Sequence, residues 1–274
     1  MEDVVDQDAC RLPKELRADP SCHDPAVDPK PDATGRTAAR GAPAPRYSLP
    51  ARLDPARQAL LVLAHLRNGD TPARLADGFG VSLTTAWRYI REAVDLLAAT
   101  AHTLAEAMTS IARLAYAILD GTLIPIDRVA NQMPYCSGKH RRHGVKAQVI
   151  ADAAGRLRWL SAALPGSTHD LSVPREHGIV EALTTADVMA FADKGYQGAG
   201  GSVRTPFKRY RRRRRLSRRE KAVNRGHARI RAVGERAIAT LKCWKLLTKV
   251  HCCPKRVTAL LAAILVLQLV EEQR

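Results

Sequence analysis

Residues 114–126 read LAYAILDGTLIPI. The run is apolar and β-compatible, and it is interrupted once, by Asp120-Gly121-Thr122. A strand that carries a carboxylate among Ile118, Leu119, Leu123 and Ile124 is the first strand of a buried sheet with a charge inside it. A buried charge is costly unless it is paired or bound to metal. Residues 145–151 (VKAQVIA) and 157–163 (LRWLSAA) give two more strands, joined by the turn signal Asp152-Ala153-Ala154-Gly155. Residues 171–183 have a helical pattern, and 188–192 (VMAFA) form a short buried strand that ends at Asp193. A basic insertion follows, then a long helix over 217–247 and a final apolar helix over 257–270. Three strands, a helix, a strand and a closing helix predict an α/β fold with a mixed sheet covered by helices.

Upstream, the pattern is helical. Asp54-Pro55 is a cap followed by proline at the first helical position; Leu60, Leu61, Leu63, Ala64 and Leu66 supply an apolar face, and Asn68-Gly69-Asp70 ends it. A second helix runs from Pro72 to Phe79 with Thr71 as its cap, Gly80-Val81-Ser82 turns the chain, and a third helix runs from Ser82 to about Ala98. Ala76, four residues before Gly80, lets two helices cross closely, which is the spacing of a helix-turn-helix. Val81, Ala86, Ile90 and Leu97 are expected to pack inward. Thr84, Thr85, Arg88 and Arg91 are expected to face outward, where such modules touch bases and phosphates. A plain three-helix bundle with solvated arginines is the alternative. Residues 1–50 are acidic at first and then rich in Pro and Ala, with no apolar period, and read as a mobile N-terminal arm without a signal peptide. The expected division is therefore an arm over 1–50, a helix-turn-helix module over 51–100 and a catalytic domain over 112–274.

The composition names a class of partner. Of 274 residues, 44 are Lys or Arg and 27 are Asp or Glu, a net charge of +17. An excess of that size points to a polyanion, nucleic acid or an anionic membrane surface. The 4% aromatic content argues against single-strand binding by base stacking, and the 46% hydrophobic content allows a real core. The apolar run 257–270 is short of the roughly 20 residues that span a bilayer, so a buried helix and a cytoplasmic location are expected. Cys243, His251, Cys252 and Cys253 cluster in sequence, but their spacing does not fit zinc, and the cysteines are expected to be reduced and mostly buried.

Three carboxylates stand where this topology would gather them: Asp120 in the first strand, Asp193 at the end of the fourth, and Glu235 in the long helix. Carboxylates brought together repel one another and hold hard divalent cations, Mg²⁺ or Mn²⁺. Such ions activate a water or a 3′-hydroxyl and stabilise the leaving oxygen of a phosphodiester. Read singly, Asp120 is as well explained as a turn cap and Glu235 as a salt-bridge partner. Together, Asp-Gly-Thr at 120–122, Gly-Ser-Thr-His-Asp at 166–170, Ala-Asp-Lys-Gly-Tyr at 192–196 and Gly-Glu-Arg-Ala-Ile-Ala-Thr-Leu-Lys at 234–242 resemble the DDE transposases of bacterial insertion sequences. The resemblance is to the insertion-sequence-five family, with the endonuclease domain also found in Harbinger-type elements, and it covers roughly residues 51–270. It implies a ribonuclease-H-like fold, Asp120, Asp193 and Glu235 as the catalytic and metal-binding acids, and Asp170 as an auxiliary metal ligand. Arg231 and Lys242 match the family's helix signature in spacing. Its Tyr position is taken by Ala228, for which His227 and Asn224 are nearby substitutes as DNA contacts.

Between Arg204 and Lys221 the chain is dense in Arg and Lys, with Arg211, Arg212, Arg213, Arg214 and Arg215 consecutive. Lying between the second and third acids, this run is expected to hold DNA phosphates without reading sequence; a solvated loop is the bland alternative. A second basic loop, 135–144, carries Lys139 and is expected to grip the substrate strand. The expected partner is double-stranded DNA, as element terminal inverted repeats and target, bound by a homo-oligomer. The expected activity is metal-dependent strand cleavage and strand transfer. The rivals are a helix-turn-helix regulator with an inactive core and a metal endonuclease that joins no strands.

Overall fold

The computed structural model describes residues 53–126, 133–169, 172–209, 215–248, 250–251 and 254–272. The expected arm over 1–50, Asp170, Arg211, Arg212, Arg213, Arg214, Cys10, Cys22, Cys252 and Cys253 lie outside them.

The first three helices are α1 (Pro55–Asn68), α2 (Pro72–Phe79) and α3 (Leu83–Ala99). Each begins at a side-chain cap that satisfies an otherwise orphaned amide: Asp54 accepts from the Arg57 amide, Thr71 from Arg74 and Ser82 from Thr85. α1 and α2 end on Gly69 and Gly80, both left-handed (φ +72° and +67°), a conformation that favours glycine. A fourth helix, α4 (Leu104–Ile111), opens on a capping box between Thr103 and Glu106.

The sheet is built from β1 (Ala117–Pro125), β2 (Cys136–Ser137), β3 (Arg142–Ala151), β4 (Leu157–Leu160), β5 (Leu164–Pro165), β6 (Ala190–Ala192) and β7 (Val203–Arg204). β1 pairs antiparallel with β3 and parallel with β6; β6 pairs parallel with β7, and β4 pairs antiparallel with β3. The path β4-β3-β1-β6-β7, antiparallel on one side of β1 and parallel on the other, is the ribonuclease-H-like arrangement expected from the sequence. The helix expected over 171–183 is two short ones, α5 (Ser172–Glu176) and α6 (Ile179–Thr185), broken at Gly178, which is left-handed at φ +65°. The long helix α7 (Arg218–Lys242) stops before 247 and is followed by a 3-10 turn over Lys245–Thr248, and α8 (Pro254–Glu271) closes the described chain.

Strand alternation divides the core into two layers. On one face Ile118, Ile124, Val145, Ala147 and Val149 pack with Ala237 and Leu241 of α7 and with Val257, Leu261 and Ile264 of α8. Leu61, Leu66, Leu75, Ile90 and Val94 of α1–α3 belong to this same cluster. The helix-turn-helix region therefore shares a core with the sheet, and α3 lies directly on α8. On the other face Leu119, Ile150, Ala190 and Ala192 pack with α4 and α6. Burying a Leu or Ile side chain contributes about 2 kcal/mol, so either layer is well able to hold its helices. Gly234 brings α7 tight to the sheet: a Cβ there would lie 2.5 Å from Ile118 Cγ2. No helix among the described residues is long and apolar enough to cross a membrane.

The cysteine expectation is corrected. Cys136 is disulfide-bonded, and Cys243 is free and exposed. Cys243 is exposed because it caps α7 on the side away from the buried stripe of Gly234, Ala237 and Leu241.

Candidate active site

The parallel pairing of β1 with β6 puts Leu119 beside Ala192, and one step further puts Asp120 beside Asp193. Neighbours in parallel register project to the same face, here the face covered by α7. The two acids, distant in sequence, line one cavity with Gly121, Thr122, Lys139 and Gln148.

Each carboxylate is held by its own turn and by a cation. Asp120 Oδ1 accepts from the Gly121 amide at 2.9 Å, and Arg231 of α7 donates to Asp120 Oδ2 at 3.3 Å. Asp193 Oδ1 accepts from the Gly195 amide at 2.7 Å, capping the 3-10 turn Lys194–Tyr196, and Lys139 Nζ lies 3.9 Å from Asp193 Oδ2. Burial pushes the Asp120 carboxyl above the usual carboxylate range. The neighbouring Asp193 charge adds to this, while the Gly121 amide and Arg231 offset it in part.

In the lining of the same cavity, the motif residues next to both acids are tied together. Tyr196, 1% exposed, donates its hydroxyl to Gln148 Oε1 at 2.5 Å. Gln148 sits across β1 from Gly121, and its amide donates to Ser161 Oγ. A Cβ on Gly121 would meet the Tyr196 hydroxyl at 3.0 Å and Gln148 Nε2 at 3.4 Å. Glycine in the first motif and tyrosine in the second are thus complementary halves of one contact. Lys146, also buried on β3, donates from Nζ to the Thr168 carbonyl at 2.5 Å, fixing the segment just before residue 170. Sequence reasoning did not single out Gln148 or Lys146. The available signal was two polar residues inside the otherwise apolar strand VKAQVIA.

The other expected residues are placed as follows. Glu235 lies one helical turn after Arg231 on α7, is exposed and does not line the cavity. Among the described residues no group of three or more His, Cys, Asp or Glu is placed to hold a metal. The chemistry of the donor set nevertheless fits a hard divalent ion: two adjacent carboxylates, one of them pushed up by burial, with Arg231 and Lys139 against them as the stand-in positive charges. His227 and Asn224 are engaged within the fold. His227 is buried, its ring Nε2 is 3.1 Å from the Arg204 carbonyl, and it packs edge-on against Phe191; Asn224 donates to and accepts from the backbone of Phe207. Both lie where α7 docks on the segment leaving β7, so their polar groups are spent inside the fold. On α3, Thr84 and Arg88 are exposed, whereas Thr85 is half-buried with its hydroxyl 2.8 Å from that of Ser82. Arg91 stacks over Trp87 at 5.0 Å and pairs with Asp95 at 3.9 Å. Lys242, at the end of α7, and Arg215 are exposed.

The profile of the DDE superfamily endonuclease matches residues 119–268, beginning one residue before Asp120. The chain belongs to this superfamily. The helix-turn-helix of DDE superfamily endonucleases matches residues 51–102, and the resemblance carried by the four sequence motifs holds. The superfamily member is 32% identical, over 209 residues and 76% of each chain, to a protein of Streptomyces albus G described as a transposase for insertion sequence element IS112. A crystal structure of a pre-cleavage Mos1 transpososome covers 78% of this chain and 81% of its own, at 11% identity and a TM-score of 0.20, a likeness on which nothing rests.

Proposed function

We propose that this chain is a transposase that binds the ends of its element and catalyses metal-dependent DNA cleavage followed by strand transfer. The observation that carries the reading is the in-register pair Asp120 and Asp193 on the α7 face, with Arg231 and Lys139 against them. Asp120 and Asp193 would hold Mg²⁺ or Mn²⁺, with Glu235 and Asp170 as the further ligands the family resemblance implies. Bound there, the ion would supply charge neutralisation at a phosphodiester and a more acidic water or 3′-hydroxyl.

The chain's own residues do the rest. The amides of Gly121 and Gly195 orient the two carboxylates, so the face that meets the DNA is fixed before it arrives. Arg231 and Lys139 lie at the rim of the acids and are placed to receive phosphate oxygens. Thr84 and Arg88, exposed at the start of α3, are the candidates for base contact, with Thr85 and Arg91 beside them positioning the helix on the backbone. Arg211, Arg212, Arg213, Arg214, Arg215 and Lys242 would add sequence-independent phosphate contacts. The partners are terminal inverted repeats and target DNA, bound by a homo-oligomer.

The test is a strand-transfer assay. Full-length protein is incubated with a duplex taken from the DNA flanking its gene, labelled at the 3′ end, together with a target plasmid, in Mg²⁺, Mn²⁺, Ca²⁺ or EDTA. Joined product in Mg²⁺ or Mn²⁺ is expected, with binding but little turnover in Ca²⁺. Cleavage without joining supports the endonuclease reading, binding without cleavage supports the regulator, and full activity in EDTA rejects metal dependence.

A further inference from the structure

Several buried polar atoms have no hydrogen-bond partner among the described residues, including Gln268 on α8, Ser137 on β2 and Thr122 on β1. Of these residues, Thr122 lines the cavity that holds Asp120 and Asp193. It is 4% exposed. Two residues beyond Asp120 on the same strand, it projects to the same face about 6.6 Å further on. Its cross-strand neighbour on β3 is Ala147, which offers no polar side chain. On the other side β6 has already ended at Ala192, opposite Leu119, and among the described residues the next backbone paired along that edge of β1 is Val250, bridged to Ile126. Thr122 thus sits on β1 past the end of β6, just beyond the paired acids, with its hydroxyl buried. A second donor in the same neighbourhood is also unspent: Arg231, whose terminal nitrogen meets Asp120, has a buried Nε with no partner among the described residues.

Burying a hydroxyl without a partner is unfavourable, and valine would fill the same volume on a β-strand without that cost. A donor in this position is available to a partner that arrives later. A phosphodiester brings non-bridging oxygens, which accept hydrogen bonds and carry charge, and it fits two unspent donors beside a pair of carboxylates.

We propose that Thr122 Oγ1 donates a hydrogen bond to a non-bridging oxygen of the DNA phosphate at the site, making Thr122 a substrate-contacting residue alongside the acids. The proposal rests on the DNA-cleaving reading given above. It is tested with full-length Thr122→Val and Thr122→Ser by three measurements: thermal unfolding without DNA, the rate of Mn²⁺-dependent nicking of supercoiled plasmid, and the Mn²⁺ concentration at half-maximal rate. Thr122→Val should unfold at the wild-type temperature or above it, nick about tenfold more slowly or worse at saturating Mn²⁺, and keep its half-maximal Mn²⁺ concentration. Thr122→Ser should nick within about threefold of wild type. Wild-type nicking by Thr122→Val overturns the proposal, as does a fall of more than about 3 °C in its unfolding temperature, which would make the hydroxyl structural. A full rate restored by raising Mn²⁺ also overturns it, assigning the hydroxyl to the ion's shell instead. If the wild-type chain nicks no DNA in any divalent ion, the cleavage reading fails and takes this contact with it; a failure of Thr122 alone appears only against an active wild type.

Discussion

The hydroxyl of Tyr196 lies 3.0 Å from the point where a side chain on Gly121 would begin. Gly121 follows Asp120 and Tyr196 comes three residues after Asp193, so the segments that carry the two acids meet closely at this point. Gly121→Ala should destabilise the protein by about 1–3 kcal/mol through overpacking. Tyr196→Phe should cost about 1–2 kcal/mol by leaving Gln148 Oε1 without its donor. Since Phe removes the atom that an added Cβ would strike, the double variant should be more stable than the sum of the single losses predicts. Urea unfolding of the four proteins reads this coupling directly, and strict additivity would mean the contact is not what limits residue 121.

Asp120→Ala and Asp193→Ala should each reduce DNA cleavage to below a tenth of wild type, a barrier increase of at least about 1.4 kcal/mol, while binding of duplex in Ca²⁺ is largely kept. Glu235→Ala is expected to do the same. It is the more discriminating variant, because Glu235 is exposed and outside the cavity formed by the other two. Retained cleavage in Glu235→Ala would remove it from the catalytic set and leave the aspartate pair standing.

Asp152 is the stability counterpart. Its carboxylate, 3% exposed, accepts from the amides of Ala154 and Arg156 and from the side chains of Arg156 and Arg158. Burial alone would push it up, but the Arg156 amide and the two guanidinium groups together outweigh burial and hold it below the usual carboxylate range. A depressed folded-state pKa contributes stability that is complete above the ordinary aspartate value and is lost as pH falls through the lowered one. Asp152→Asn should therefore lower stability at neutral pH, by about 1–3 kcal/mol for the loss of charged hydrogen bonds, and the gap to wild type should narrow on acidification below the normal aspartate range. Chemical denaturation across a pH series checks both the size and the direction.

Replacing Arg211, Arg212, Arg213, Arg214 and Arg215 by Gln should weaken binding to every duplex and flatten its salt dependence, because phosphate contacts release counterions whatever the bases are. Replacing Thr84 and Arg88 by Ala should instead reduce preference for the element end over random duplex. Titrations at several salt concentrations separate the two. Specific binding alone lost by the arginine variant, or non-specific binding alone lost by the α3 variant, would reverse the assignment.

What was legible in the chain follows from how local the deciding physics is. Asp54-Pro55, Thr71-Pro72 and Ser82 announce the starts of α1–α3 because a cap is a contact within four residues. The neighbouring cap at Thr103 and Glu106 is equally local, and the short α4 it opens falls between the two expected domains. Asp120 and Asp193 stood out because each is a charge closing or interrupting an apolar run. Tyr196 with Gln148, 48 residues apart, did not, because their meeting depends on the register of β3, β1 and β6 together. The internal partners of His227 and Asn224 were hidden for the same reason: helical spacing alone does not show that α7 docks on Phe191, Arg204 and Phe207.

The packing of α3 on α8, with Arg256 reaching Asp95 at 3.2 Å across them, has a geometric consequence. The exposed pair itself adds little, but the apolar cluster that runs from Leu61 and Ile90 through Ile264 to Ile118 makes the helix that would read bases and the strand that carries Asp120 parts of a single solid. Such a body behaves as a ruler. On the proposed reading, the separation between a recognised base and the bond to be cut would be written into the protein, not left to a tether. A base pair inserted between them displaces one from the other by about 3.4 Å and a tenth of a turn, a mismatch the DNA would have to absorb by bending or twisting.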